Sequence, residues 1–406
     1  MTPTHAGNTR IIPVKMNVND LKRKMIALWK ESFHDGEDYI NLIFDRYFDP
    51  ELVEYETAGP EIISAVMGIP YDFGGVECRI RGLFLCGMAT KQRYRGQGIM
   101  GNLLEKINRK AAEKGFAFTF LIPIGERSHR YFFHQGYVDA FYRCEENYIS
   151  LHDFAAEFNY VLELQKGKVA DLKRHHFEAL KGVNVQNDTP DEVLENIKKL
   201  LHERENDQSD MEVLHSAEQL SDAVEMNRLK GGKIYYVSGS QDAISAVAFT
   251  RLVDRSRVEI ERMVSKDECS TYRLLDFIKK SEPDAGIKIF IDPKTSDRKN
   301  LAKTHGMARI LDLCEILKFQ AAGHGDLKYS ILVNEHPGQV ERYDIKGGQV
   351  NHKSIRTDSE DYDPTKTVMS LRDISCVLFR RPDTGVLLVE AFGMPSLGGY
   401  VSLMPE

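Results

Sequence analysis

One short segment limits the folds open to this chain more than any other. The apolar run LFLCGMAT (83–90) is typical of a buried strand, and the polar turn RYRGQG (93–98) follows it after two residues. Apolar residues then recur at helical spacing over 99–114, and Gly115 stands where a left-handed C-terminal cap is expected. The segment therefore predicts a strand, a glycine-containing turn and a helix in that order, a unit that requires a sheet covered by helices.

The turn has the composition of a phosphate-binding site. At the start of a helix several backbone N–H groups lack partners and the helix dipole is positive, so an anion binds there. Gly96 and Gly98 let a ligand approach the backbone, and Arg93 and Arg95 add positive charge. The ordered strand, arginines, glycines and helix predict a pyrophosphate site. A solvent-exposed basic turn with capping glycines is the alternative.

A dinucleotide-binding fingerprint fits the same residues less well. Gly96, Gly98 and Gly101 formally match G-x-G-x-x-G. The fingerprint also needs an acidic residue for the ribose, about 20 residues further on. The next strand, FAFTFLIPI (116–124), ends without Asp or Glu, and this argues against a dinucleotide.

The elements around this turn recur later in the chain. Residues 19–33 predict an amphipathic helix whose apolar face includes Trp29, which we interpret as core rather than ligand. The first unit also has predicted strands at 61–73, 76–90, 116–124 and from Tyr137 to Ser150, and a short helix near 126–134. The second unit has predicted helices at 191–204, 217–229 and 270–282, and strands at 233–238, 242–252, 256–264 and 287–292. Its turn SKDECST (265–271) has no glycine, so we expect no phosphate site there.

The last hundred residues have a different pattern. A helix is predicted near 309–319, and short β-like runs follow, separated by glycine-containing turns. A length of 406 residues suggests two or three domains. We predict a first unit over 1–150, a second over 151–308 and a third, small α+β unit over 309–406.

Composition limits the classes of partner and the compartment expected for this chain. The 61 acidic residues outnumber the 54 basic ones, and the net charge of −7 argues against nucleic acid or an anionic membrane as partner. Neither a signal peptide nor an apolar run of about 18 residues is recognised, which predicts a cytoplasmic protein. The six cysteines include no C-x-x-C pair and the histidines have no ligand spacing, so neither disulfides nor a metal site are predicted.

Two motifs resemble those of a known superfamily. The segment from LFLCGMAT through RYRGQG into the following helix resembles the GNAT acetyltransferase signature R/Q-x-x-G-x-G/A. The later RYFFHQGY (130–137) resembles the closing motif of that superfamily, Y-x-x-x-G-F/Y. With its second unit and β-rich third unit, the whole chain resembles the enhanced-intracellular-survival type. The resemblance implies an α+β fold: two GNAT-like mixed α/β sheet domains in tandem plus a small sterol-carrier-like α+β domain.

The resemblance implies acetyl-CoA as the acyl donor. Its pantetheine arm would lie along Cys86, Gly87 and Met88. Its pyrophosphate would bind the backbone amides of Arg93, Tyr94, Arg95, Gly96, Gln97, Gly98 and Ile99. We interpret Cys86 as a small buried strand residue rather than a nucleophile, because the sequence arranges no base beside it.

The resemblance also implies a proton donor and a base. The family's donor is a tyrosine four residues before the glycine of the closing motif, but Phe132 stands there, so the adjacent Tyr131 or a water is expected instead. The family's base is the C-terminal carboxylate, which corresponds here to Glu406. A frayed terminus is the alternative, and Glu31, Asp35 and Glu37 are further candidate bases.

These observations predict an N-acetyltransferase. We expect transfer of acetyl to a primary amine of a small polycationic acceptor, such as an aminoglycoside or polyamine, by direct attack in a ternary complex. A homo-oligomer is implied by the resemblance. A non-catalytic acyl-CoA- or lipid-binding protein is one alternative, and an aminoacyl or long-chain acyl transferase on paired GNAT folds is another.

Overall fold

The computed structural model describes most of the chain. The described residues are 16–74, 78–148, 183–186, 191–206, 211–238, 243–254, 256–296, 299–336, 338–359, 362–363, 365–381 and 394–405. Glu406, the predicted base, lies outside them.

The first unit combines helices and strands as predicted, with one further strand at 53–58 that was not predicted. Its helices are α1 (Val18–Ser32), α2 (Glu37–Tyr47), α3 (Ile99–Glu113) and α4 (Gly125–His134). Its strands are β1 (Val53–Ala58), β2 (Glu61–Gly74), β3 (Arg79–Thr90), β4 (Phe118–Leu121) and β5 (Val138–Tyr148). Apolar side chains of α1 and α2 pack on one face of the sheet, and those of α3 pack on the other.

Helix α1 follows directly from its sequence. The Asn17 side chain accepts a hydrogen bond from the backbone N–H of Asp20 at 2.8 Å, which satisfies one of the unpaired donors at the helix start. One face is buried, namely Leu21, Met25, Leu28 and Trp29. The predicted helix and the core position of Trp29 are confirmed.

The second unit repeats the pattern with its own helices and strands. The helices are α5 (Asp191–Asn206), α6 (Ala217–Leu229) and α7 (Glu268–Ser281). The strands are β6 (Val183–Gln186), β7 (Val213–Leu214), β8 (Lys233–Ser238), β9 (Ile244–Asp254), β10 (Arg257–Ser265) and β11 (Gly286–Ile291).

A late strand joins the two units. Strand β12 (Lys303–Ile310) lies between β4 and β5 and is antiparallel to both. Strand β5 in turn pairs with β11, so one sheet runs through both units in the order β1-β2-β3-β4-β12-β5-β11-β10-β9-β8-β6. The helix predicted near 309–319 is therefore wrong at its start. Because β12 is covered on both faces at Gly306–Ala308, its burial does not alternate, and its sequence lacks the usual strand signal.

The third unit is a small α+β arrangement. Its helices are α8 (Leu313–Gly323) and α9 (Leu371–Leu378). Its strands are β13 (Lys328–His336), β14 (Gln339–Lys346), β15 (Gln349–Arg356) and β16 (Val368–Ser370), in the sheet order β15-β14-β13-β16. The predicted α+β class is confirmed, and the domain boundaries stay predictions.

The segment 394–405, here named the tail, returns to the first two units. The N–H of Gly399 donates to the carbonyl of Ala140 at 2.8 Å, and the N–H of Tyr142 donates to the carbonyl of Gly399 at 2.9 Å. On the other side, the N–H of Tyr400 donates to the carbonyl of Met211 at 3.2 Å. The tail is therefore held between β5 and the segment leading into β7. Among the described residues, no helix has the length and apolarity needed to cross a membrane.

Candidate active site

The turn after β3 leaves the start of α3 open. Gly96 and Gly98 have φ of +77° and +76°, in the left-handed region that favours glycine. Gly98 is the N-cap of α3, and no side chain of the described residues forms a cap there. The first N–H groups of α3 are therefore available to an anion.

Strand β3 is interrupted by a bulge just before this turn. Ala89 pairs with Ala65 of β2, and Cys86 pairs with Met67, so Gly87 and Met88 together oppose one residue. Gly87 has φ of +59°, as expected for the first position of a glycine-type bulge. Such a bulge removes backbone groups from the ladder, and these can pair with an extended ligand.

A cavity of about 490 Å³ lies between the bulge and α3. Its walls come from the end of α1, from β3 after the bulge, from the turn, and from α4. Of the residues predicted to bind the cofactor, the lining includes Met88, Tyr94, Arg95, Gly96, Gly98 and Ile99. The structure thus brings the bulge and the turn together on one cavity.

The other predicted cofactor residues have structural contacts nearby. Gly87 packs on Trp29, and the Gln97 side-chain amide donates to the Arg93 carbonyl at 3.3 Å. The Arg93 guanidinium donates to Glu61 at 2.8 Å and lies over the Tyr94 ring. Their place in binding stays a prediction.

Cys86 is buried on the opposite side of the strand from the α3 packing. Burial raises the pKa of the Cys86 thiol to about 12, so the group is protonated at neutral pH. Since the thiolate is the reactive form, this environment disfavours a covalent acyl-cysteine intermediate.

Helix α4 presents two aromatic residues to the cavity. Phe132 is buried and packs on Tyr137, whereas Tyr131 is 37% exposed. Partial burial raises the pKa of the Tyr131 hydroxyl above its usual range, so it keeps its proton at neutral pH. Tyr131 is therefore the side chain of α4 that can donate a proton into the cavity.

The three carboxylates around α1 and α2 are all paired. Lys91 forms an ion pair with Glu31 at 3.0 Å, and Lys30 pairs with Glu37 at 2.6 Å. Asp35 accepts a hydrogen bond from the Trp29 indole N–H at 2.8 Å. Of these carboxylates, Glu31 stands nearest in sequence to the cavity-lining Ser32 and Phe33, and Asp35 follows Phe33 by two residues.

A second cleft, of about 760 Å³, lies between the first two units and was not predicted. Its lining comes from the end of α2, from β2 and β3, from residues 214–216, and from α5 and α6. An ion pair between Arg46 and Asp222, at 3.3 Å, links the units there. Because the lining residues are far apart in sequence, no local motif indicated this cleft.

The corresponding turn of the second unit is closed. The Asp267 side chain accepts a hydrogen bond from the N–H of Ser270 at 2.7 Å and so caps α7. A carboxylate at this helix start occupies the position where a phosphate would bind and repels it. This geometry supports the prediction that the second unit lacks the phosphate site.

The class of the first unit follows from comparison with known families. Residues 7–134 match the family described as an acetyltransferase (GNAT) domain. The first unit is therefore similar to acetyltransferase domains of the GNAT type, and such domains use acetyl-CoA as the acetyl donor. No curated protein matches the sequence.

Three solved structures share the architecture of the whole chain. A GCN5-related N-acetyltransferase from Kribbella flavida has a TM-score of 0.63 and 13% identity, covering 96% of this chain and 97% of that one. A GCN5-related N-acetyltransferase from Anabaena variabilis ATCC 29413 has a TM-score of 0.62 and 12% identity, covering 96% and 97%. Eis1 from Mycobacterium abscessus has a TM-score of 0.56 and 11% identity, covering 92% and 90%. These similarities establish the fold.

Proposed function

We propose that this protein transfers the acetyl group of acetyl-CoA to a primary amine by direct attack. The observation that carries the proposal is the single cavity that joins the β3 bulge, the open start of α3 and the Tyr131 hydroxyl. A bare basic turn would not require the bulge or the tyrosine beside it.

The glycines, the charge and the bulge around the cavity each suit one part of acetyl-CoA. A Cβ atom built on Gly96 or Gly98 meets no atom within 4 Å, so both glycines face open space that a pyrophosphate can fill. The Arg95 guanidinium donates to the Thr90 carbonyl at 2.8 Å, which ties the turn to the end of β3. Its positive charge, with the helix dipole, favours the anion. The pantetheine amides would pair with the backbone at Gly87 and Met88.

The chemistry requires two proton movements. The neutral amine nitrogen attacks the thioester carbonyl carbon, the C–S bond breaks, and the nitrogen loses a proton to a base. The departing thiolate takes a proton, and we assign Tyr131 as its donor. No acyl-enzyme is needed, in agreement with the protonated thiol of Cys86.

We propose that Glu406 supplies the base. Gly399 of the tail bridges Phe141 of β5 in parallel, and the pairing through β12 and β4 gives the tail the direction of β3. Val401 and Met404 are buried in the same cluster as the core of the first unit. The described part of the tail, which ends at Pro405, therefore runs toward the end of the sheet that carries the cavity.

A C-terminal extension tests this assignment. Residues added after Glu406 should lower kcat strongly with CoA affinity unchanged, because they remove the main-chain carboxylate. Glu406→Gln, which keeps that carboxylate, should cost much less. A fully active extended protein would exclude Glu406 as the base.

We propose that the acceptor is a small polycation held in the cleft between the first two units. Asp72 and Glu218 offer carboxylates there for ammonium groups, beside Asp222, which already pairs with Arg46. Arginines also line the cleft, and they suit hydroxyl or acidic groups of the same acceptor.

A thiol-release assay with acetyl-CoA tests the proposed function. We expect turnover with some members of a panel of polyamines and aminoglycosides, intersecting initial-velocity lines, and retained turnover in Cys86→Ala. CoA binding without thiol release from any amine would instead favour the non-catalytic acyl-CoA-binding alternative, which the phenylalanine at position 132 also favours.

A further inference from the structure

Trp29 lies at the contact between two elements that form walls of the cavity, α1 and β3. It is the only tryptophan of the 406 residues, and 6% of its surface is exposed. One wall contributes Ser32 and Phe33 from the end of α1, and the other contributes Met88 and the residues that follow it in β3. Trp29 does not line the cavity but contacts the elements that carry both walls.

The first contact is with the bulge. A Cβ atom on Gly87 would lie 2.5 Å from Cζ3 and 2.8 Å from Cε3 of the Trp29 ring. The indole therefore packs directly against the backbone of Gly87, at the point where β3 leaves its ladder. Because no side chain lies between them, a shift of the indole moves the bulge.

The second contact is with the segment between α1 and α2. The indole N–H donates to the Asp35 carboxylate at 2.8 Å. The N–H of Phe33 donates to the Trp29 carbonyl at 2.9 Å, which fixes the start of the same segment. The Phe33 and Phe44 rings then pack on the indole at centroid distances of 5.3 and 5.7 Å.

We infer that Trp29 and Asp35 form a positioning pair, which sets the distance between the bulge that would hold the thioester and the α1–α2 segment that flanks it. This inference rests on the proposed function. In it, Asp35 acts as a hydrogen-bond acceptor for the indole and not as a base. A thioester displaced by about 1 Å from the acceptor can lose up to about a hundredfold in rate.

The two roles of Asp35 predict opposite results for one substitution. Asp35→Asn keeps an oxygen that accepts from the indole, so it should retain near-normal kcat and an unchanged pH–rate profile. Asp35→Ala and Trp29→Phe both remove the hydrogen bond and should lower kcat by about tenfold to a hundredfold. Their CoA affinity should stay close to normal, because the turn before α3 supplies the phosphate contacts. Asp45→Ala, on the exposed side of α2 and paired with Lys22, is the matched control and should resemble the original protein.

Tryptophan fluorescence provides a readout that does not depend on turnover. Since Trp29 is the single tryptophan, its emission should change when CoA binds along the bulge, and it should shift in Asp35→Ala but not in Asp35→Asn or Asp45→Ala. Calorimetry on the same samples measures CoA binding independently.

The outcomes distinguish failure of the positioning pair from failure of the proposed function. If CoA binds by calorimetry but Trp29 emission stays unchanged, the positioning pair is wrong while the proposed function stands. If Asp35→Asn is as inactive as Asp35→Ala, the carboxylate charge matters and the pair is again wrong. If CoA does not bind at all, both the proposed function and the pair are overturned.

Discussion

Gly98 and Gly115 both have a φ of +76°, in the left-handed region, but they lie in different surroundings. A Cβ atom on either would meet no neighbour within 4 Å, and only Gly98 lines the cavity. Valine at either position should lower stability by about 1–2 kcal/mol, because L side chains disfavour this region. Gly98→Val should also abolish CoA binding, whereas Gly115→Val should leave it intact. Urea unfolding and calorimetry check both effects, and an unchanged CoA affinity in folded Gly98→Val would remove the proposed site.

The role of Tyr131 as proton donor can be tested by a single substitution. Removing the hydroxyl in Tyr131→Phe should lower kcat by roughly a hundredfold or more, the usual size of a general-acid contribution, with CoA affinity unchanged. The exposed Tyr272 of the second unit, as Tyr272→Phe, is a control without expected effect. Equal rates for the two variants would assign the donor to water.

The pH dependence of Tyr131 has a definite sign. Burial raises the pKa of its hydroxyl above 10, so the donor form is present throughout the neutral range. A loss of kcat through deprotonation of Tyr131 is therefore expected only above pH 10. A fall in kcat between pH 7 and 9 must come from another group.

Single residues were predicted well where the signal is local. The turn at 93–98 combines all its features within a few positions, and the helical spacing around Trp29 predicted its burial. The contacts of Trp29 with Gly87 and Asp35 were not predictable, because they depend on how α1 lies across β3. Likewise, sequence could not show whether Tyr131 faces the cavity, because neighbouring residues of a helix point in different directions; in the structure both Tyr131 and Phe132 line it.

At the scale of elements, β1 and β12 are among the parts of the fold that sequence missed. Strand pairing between residues nearly two hundred positions apart leaves no periodic trace, and the short buried run at 306–308 is compatible with either a strand or a helix. Helices α1, α3 and α4 were predicted because each has an amphipathic pattern of its own.

The insertion of β12 makes a stability prediction. Met307 is fully buried between the strands of the first unit and packs with Leu121. Met307→Ala should therefore lower the free energy of unfolding by about 2–5 kcal/mol, the cost of a large-to-small core substitution. Leu301→Ala, a few residues earlier and 60% exposed, should change it by less than about 0.5 kcal/mol. Urea titrations of the two proteins compare them, and equal midpoints would contradict the insertion.

For the whole molecule, the three units are not independent, because they share apolar packing. One apolar cluster includes Phe120 of the first unit, Val213 of the second, Tyr343 of the third and Val401 of the tail. A buried ion pair between Arg262 and Glu212, at 2.7 Å, lies next to Tyr400. Unfolding of one unit therefore exposes apolar surface of its neighbours, so the cavity, the cleft and the tail are maintained together.

Although two units share one sheet, only the first should bind CoA, with one molecule per chain. At the start of α3, Gly98 leaves the backbone N–H groups open, whereas at the start of α7 the Asp267 carboxylate accepts from the N–H of Ser270 and its second oxygen accepts from the Ser270 hydroxyl at 2.9 Å. A pyrophosphate at α7 would have to displace this cap and meet its negative charge. Calorimetry should therefore give a stoichiometry of one, and Gly98→Val should reduce it to zero. Two equivalents, or one equivalent persisting in Gly98→Val, would place a CoA site in the second unit.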